Sequence, residues 1–272
     1  MLHRLLRRGA VALLGMMVTG TAPWAAGLAP LRVIASPVPH AEILRFVQKL
    51  APDLALQIIE INNALRPNEL LARGEVDANF FQHVPYMRQQ EQDLGTRFAV
   101  VAAVHIEPLG IYSHRIRTLD AIPDKGTVSI PNNITNLSRA LYLLQDQKLI
   151  ALRPGLDARE RQLATPHDIV GNPHHLKIIQ VDSAQIARSL DDVTIAVVNG
   201  NYALEIGLTP SRDALALESA QNNPYANVLV TMPSLQDDPR IQRLAWLLTS
   251  PDVAAFIRER YRGSVIPVNA SR

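Results

Sequence analysis

The sequence predicts an α/β fold of two lobes, each a mainly parallel sheet flanked by helices, with two hinge crossings of the chain between them. Three features of the 272-residue chain lead there. Residues 31–80 run strand, helix, strand, helix, strand, an order that implies a parallel sheet covered by helices. Residues 127–198 form a second β-α-β set. Between the sets an apolar run over 98–104 is broken at Pro108 and resumes over 109–113, the pattern of a segment passing from one unit to another. A strand over 227–232 and two amphipathic helices match neither set and bring the chain back to the first. The predicted division is 28–108 plus 227–272 for one lobe and 109–226 for the other.

The elements follow from residue spacing. Leu31 to Ala35 make a short apolar strand, and the two prolines of Ser36-Pro37-Val38-Pro39 enforce a turn. Over 40–50, Ala41, Leu44, Val47 and Leu50 share a face at helical spacing. A buried strand covers 57–61. The helix over 67–73 has Pro67 at a tolerated first-turn position and Gly74 just past its end. Residues 76–80 begin with strand alternation, after which Phe81, His83 and Tyr86 gather around Pro85, a residue that argues against a regular element there. In the second lobe, a strand over 127–130 and a turn over 131–135 lead to a helix over 136–148 with Leu137, Ala140, Leu141 and Leu144 inward. A short helix over 166–170, a strand over 176–181, a helix over 182–190 and a buried strand over 193–198 complete the set. Helices over 238–249 and 251–261 close the chain, the first with Ile241, Leu244, Ala245 and Leu248 on one face. No fixed-period repeat is visible.

Composition narrows the function. The chain is 47% hydrophobic and 19% charged, the balance of a folded protein. Its formal charge of +2 comes from Arg4, Arg7 and Arg8, which lie among 27 residues without an acid. Without those three, 24 of the 27 basic side chains face 25 acidic ones, a net of −1 with no basic face for nucleic acid. Residues 1–27 have the form of a secretory signal peptide: a positive start, an apolar core from Gly9 to Val18, and small residues at Ala25-Ala26-Gly27 for cleavage. The apolar core is too short for a transmembrane helix, which needs about 20 residues. The chain has no cysteine, so disulfides, thiolate nucleophiles, Cys-ligated metals and a lipid-bearing N-terminal cysteine are all excluded.

No P-loop, Gly-x-Ser-x-Gly elbow, Ser-x-x-Lys or His-Glu-x-x-His occurs. The leading expectation is a binder with no catalytic residues and no cofactor, and an extracytoplasmic enzyme using the His/Glu pairs stays open beside it. His40 with Glu42, and His105 with Glu107, have residue types that suit zinc in principle, which leaves a zinc-type receptor as an alternative. An organic ligand suits the aromatic and asparagine neighbours better. Asn136 stands at a helix start, Arg139 lies one turn on along the same face, and Asn199 ends a buried strand of the same unit. Strand C-termini and helix N-termini gather at one edge of such units, where an Arg fork pairs a carboxylate and amides hold an α-amino group. With the aromatic wall of the other lobe, these residues describe a receptor for an amino acid with an apolar side chain.

Six stretches run in order along the chain: Pro37-Val38-Pro39-His40-Ala41-Glu42-Ile43-Leu44, Asp77-Ala78-Asn79-Phe80-Phe81-Gln82-His83, Val104-His105-Ile106-Glu107-Pro108, Ile130-Pro131-Asn132, Ala164-Thr165-Pro166 and Val198-Asn199-Gly200-Asn201-Tyr202-Ala203. On these the chain resembles the methionine-binding proteins of ABC importers, the NLPA lipoprotein family. The resemblance implies a type II periplasmic-binding-protein fold closing on methionine, a close analogue or a methionyl peptide. It also implies delivery to a separate permease and ATPase, and a monomer. Its thioether pocket maps onto Phe81, His83, Tyr86 and His105, and its carboxylate and amino contacts onto Asn136, Arg139 and Asn199, with Glu107 beside them. Three departures stand out: the lipobox cysteine is missing, Ala64 replaces an aromatic residue, and Asn132-Asn133-Ile134-Thr135-Asn136 replaces Asn-Asp-Pro-Thr-Asn.

Two expectations follow. Cell fractionation should find the mature chain in the periplasm, beginning near Leu28 and free of acyl chains; an acylated, membrane-bound product would contradict this. Ala64→Tyr should restore an aromatic face, worth about 0.5–1.5 kcal/mol. By calorimetry it should tighten methionine binding about tenfold and weaken bulkier analogues, whereas weaker methionine binding would mean that another side chain already fills that space.

Overall fold

The computed structural model describes residues 29–62, 65–156 and 162–268. The signal segment 1–27 and Ala64 lie outside the described residues. From Leu31 the chain runs β1 (Leu31–Ala35), α1 (Glu42–Leu50), β2 (Leu56–Glu60), α2 (Pro67–Ala72), β3 (Ala78–His83), α3 (Val84–Leu94) and β4 (Ala99–Ile106). It then crosses to β5 (Gly110–Tyr112), β6 (Thr127–Pro131), α4 (Ile134–Asp146), the small ladder of β7 (Ala151–Leu152) and β8 (Ile169–Gly171), β9 (Lys177–Val181), α5 (Ser183–Ile186), β10 (Ile195–Val198), α6 (Gly200–Glu205), α7 (Pro210–Asp213) and β11 (Ala216–Leu217). A second crossing returns it to β12 (Ala226–Thr231), α8 (Pro239–Leu248), α9 (Pro251–Tyr261) and β13 (Ile266–Pro267).

Two sheets with the same topology result. One has the order β13-β4-β12-β3-β1-β2 and the other β11-β5-β10-β6-β9. In each, the strand that arrives from the other sheet lies antiparallel between strands of the host: β12 between β3 and β4, and β5 between β10 and β11. Most strands of each sheet run one way, and the strand that crosses over runs against them. The physical reason is the path of the chain. A strand entering at the edge where its predecessors end must run against them, and only β1 with β2 and β3, and β6 with β9 and β10, stay parallel. This is the two-lobed type II arrangement, and it turns the C-terminal edges of both sheets toward the crossings.

The cores form as the spacing predicts, except that Leu50, the last residue of α1, lies past the packed turns and stays 41% exposed. Leu31, Val33, Ile34 and Ala35 are all fully buried, as a strand covered on both faces requires. Ile43, Leu44 and Val47 of α1 meet Ile241, Leu244 and Leu248 of α8 in one cluster, and Phe46 stacks on Phe256 at 4.3 Å between ring centroids. The largest departure is α3. Pro85 starts this helix instead of preventing one, because a first-turn proline gives up an N–H that has no helical partner anyway. Two smaller departures concern 166–170, which splits into a 3₁₀ turn and β8, and 182–190, which splits into α5 and a 3₁₀ turn.

Polar groups are buried along the cleft side of the first sheet. Asn68 donates to Gln82 Oε1 at 2.9 Å, and Asn68 Oδ1 accepts from Asn79 and Gln82 at 2.9 and 2.7 Å, tying α2 to β3. Three imidazoles are buried as well. Nε2 of His105 lies 2.7 Å from Glu107 Oε1, and Nε2 of His40 lies 3.2 Å from the same oxygen and 3.1 Å from Asn227 Oδ1. His83 closes β3 and caps α3.

Burial pushes His40 down to about 4 and His83 and His105 to about 3, each from 6.5. The unfolded chain takes up these protons near pH 6.5 and the folded chain does not, so the stability they contribute is present above 6.5 and is lost as the pH falls toward 4. Glu107, which burial raises, acts in the opposite sense below its raised value and offsets one proton. Urea unfolding at pH 5 should give a free energy lower than at pH 7 by about 2 kcal/mol for each buried imidazole. An equal or higher value at pH 5 would contradict the neutral, buried state of these rings.

Candidate functional site

A cavity of about 590 Å³ lies between the two sheets. Its walls are the places where strands end and helices begin: the β3–α3 junction with Phe81, His83 and Tyr86; the β6–α4 junction with Asn132, Asn133, Asn136 and Arg139; and the β10–α6 junction with Asn199, Gly200 and Asn201. Glu107 enters from the first crossing and Asn227 from the start of β12. Strand C-termini and helix N-termini thus converge from both lobes, as ligand sites of α/β sheets do.

His83 joins the two halves. Its Nδ1 accepts the Tyr86 N–H at 3.1 Å, capping α3, so the ring's proton sits on Nε2. Nε2–H then donates to Asn136 Oδ1 at 3.1 Å, across the cavity edge. The same oxygen accepts from Asn199 Nδ2 at 3.2 Å, while Asn136 Nδ2 donates to Asn133 Oδ1 at 3.0 Å. Asn133, not Asn136, is the N-cap of α4: its Oδ1 also accepts the Asn136 N–H at 3.1 Å. Asn136 thus has partners at both its amide oxygen and its amide nitrogen, whereas the buried Oδ1 of Asn199 has no partner among the described residues. His83 stays neutral because burial and the nearby charge of Arg139 both disfavour its protonation. Its ring stands edge-on to Tyr86 and Tyr225, and Phe81 stands edge-on to Tyr86, forming the aromatic wall.

Arg139 is 3% exposed and still lines the cavity. Its Nε donates to Glu218 Oε1 at 2.9 Å, and its Nη2 donates both to Glu218 Oε2 and, at 2.8 Å, to the carbonyl of Glu107. Its face lies 4.3 Å from the centre of the Tyr225 ring. The Nε/Nη2 edge of the guanidinium is thus held by Glu218, and Nη1 is the part of it without a partner among the described residues.

Glu107 presents Oε2 to the Asn201 N–H at 3.0 Å and Oε1 to the two histidines behind it. Burial raises its pKa. The start of α6 reaches this carboxylate because Gly200 has no side chain: a Cβ there would stand 3.0 Å from Glu107 Cβ. The donor atoms of His40, His105 and Glu107 lie within 4.8 Å of one another, a set that could hold a metal ion. Two features argue for a hydrogen-bonded support instead. Both Nε2 atoms are spent on Glu107 Oε1, and neither Nδ1 has a partner of the kind that orients a ligating histidine. Glu42, grouped with His40 by sequence proximity, turns away to Arg260 and the Tyr261 hydroxyl.

Of the residues singled out by sequence, Phe81, His83, Tyr86, Glu107, Asn136, Arg139 and Asn199 line one cavity. His105 does not; its ring is fully buried behind Glu107 and against His40 and Phe80. Glu218 and Tyr225, which hold Arg139, carried no sequence signal, and neither did the rim charges Arg66, Asp182, Arg188 and Glu205. Asn227 stands at the start of β12, and because this strand runs against its neighbours its start reaches the same edge as their ends.

Among described residues, no helix is long and apolar enough to cross a membrane. The chain is 36% identical over 230 residues to the D-methionine-binding lipoprotein MetQ of Escherichia coli strain K12, covering 83% of each chain. It superposes with a TM-score of 0.82 on a nutrient binding protein from Burkholderia cenocepacia bound to methionine, at 37% identity and covering 88% of this chain and 99% of that one. A periplasmic substrate-binding protein of an ABC transporter from Coxiella burnetii gives 0.81 at 36% identity, covering 88% and 100%. A family model described as NlpA lipoprotein matches residues 31–269, and the chain belongs to that family.

Proposed function

We propose that this chain is an extracytoplasmic solute-binding protein that captures methionine, or a close analogue, and delivers it to an ABC importer. The observation that carries the reading is a pair of unsatisfied polar ends in one cavity: a guanidinium edge at Arg139 Nη1 and an amide oxygen at Asn199 Oδ1. A zwitterion supplies the two missing partners, its carboxylate to Arg139 and its ammonium to Asn199 and the Glu107 carboxylate. Phe81, His83 and Tyr86 offer rings to a thioether chain, and sulfur–aromatic contacts add about 0.3–1.5 kcal/mol. Asn136 contributes by holding Asn199 and His83 in place, and His105 by supporting Glu107. The names of the E. coli and B. cenocepacia relatives support methionine as the ligand.

The reading includes binding without catalysis, a permease and an ATPase as partners, a monomer, and a periplasmic location after removal of residues 1–27 with no lipid anchor. It divides the chain into 28–108 with 227–272 and 109–226, which agrees with the membership of the two sheets. A methionyl peptide is a second ligand class, favoured by rim charges of both signs, Arg66, Asp182, Arg188 and Glu205, beyond the zwitterion's contacts.

Mass spectrometry of ligand released from protein purified without refolding should return methionine; a methionyl peptide would establish the second class, and tightly held zinc would overturn both. Arg139→Ala should weaken methionine binding by about 2–5 kcal/mol, the effect of removing one partner of a buried charge pair. Unchanged affinity by calorimetry would remove Arg139 from the site.

A further inference from the structure

Arg139 is held by residues of the two crossings between the sheets. Glu107, whose carbonyl accepts from Nη2, lies on the first crossing between the sheets. Glu218 follows β11 and Tyr225 precedes β12, so both belong to the second crossing. Glu218 is itself fixed. Its N–H donates to the Leu109 carbonyl at 2.8 Å, and its carboxylate accepts from the Leu109 N–H at 3.3 Å, which ties the two crossings together.

A guanidinium has five N–H donors in a rigid plane. Here Nε and one Nη2 hydrogen go to Glu218, the other Nη2 hydrogen goes to the Glu107 carbonyl, and one face lies over Tyr225. Three directions are taken, and only the Nη1 end remains for a ligand. Were Glu218 absent, the side chain would retain its charge but could turn its fork elsewhere.

We propose that Glu218 and Tyr225 are positioning residues of the ligand grip: from the second crossing they fix Arg139 so that its Nη1 end, and not its fork, meets the ligand carboxylate. Glu218 is then a specificity determinant for an α-carboxylate although it lies outside the cavity wall. The proposal rests on the amino-acid reading of the cavity.

The test compares methionine with methioninol, which has a hydroxymethyl group in place of the carboxylate, by calorimetry on the full mature chain. Wild type should favour methionine. Glu218→Gln, which keeps the shape and removes the charge, should lower methionine affinity about tenfold and leave methioninol within about twofold, so that the preference collapses. A merely structural role would weaken both ligands alike, and that result overturns the proposal, as does unchanged or tighter methionine binding in the variant. If Glu218→Gln does not fold, judged by circular dichroism, Tyr225→Leu decides by the same ratio. A wild type that binds neither ligand overturns the amino-acid reading, and the positioning role falls with it.

Discussion

A guanidinium that is almost wholly out of water must be neutralised, and meeting that requirement organises the centre of this molecule. An unpaired buried charge costs several kcal/mol, so Arg139 needs a carboxylate, further acceptors and a surface to lie on. No single element provides these. They come from the two segments that join the sheets, and both must be in place for the charge to be satisfied. The demand that buries Arg139 therefore also fixes how the crossings pass each other, and it places the cavity beside them. Glu107 illustrates the same economy. Its carbonyl serves Arg139, while its carboxylate meets two imidazoles and the Asn201 N–H.

The lobes were readable because apolar periodicity is local. Each strand and helix carries its own pattern, and the two sets announce themselves by order. Strand direction was less readable: β5 and β12 have the composition of any buried strand, and only the path of the chain makes them antiparallel. Pro85 misled because a proline carries two meanings, a break inside a helix and a start at its first turn, and the choice depends on the cap that His83 supplies.

Within the site, Asn136 and Arg139 could be found because they stand at i, i+3 on one helix. Glu218 could not, since it lies 79 positions from Arg139 on no periodic element. His105 shows the limit of strand reasoning. Val104, His105 and Ile106 are all buried, so alternation cannot say which of them faces a ligand and which supports the residue that does. Gly200 is a close-approach glycine whose neighbour, Glu107, is distant in sequence.

The contacts that hold Arg139 come from the segments where the chain passes from one lobe to the other. Glu218 and Leu109, one on each crossing, are joined by two hydrogen bonds, so the crossings brace each other. The His83–Asn136 contact instead joins a strand end of one sheet to a helix of the other. The cavity thus has a joint of the chain at one end and a clasp between its halves at the other.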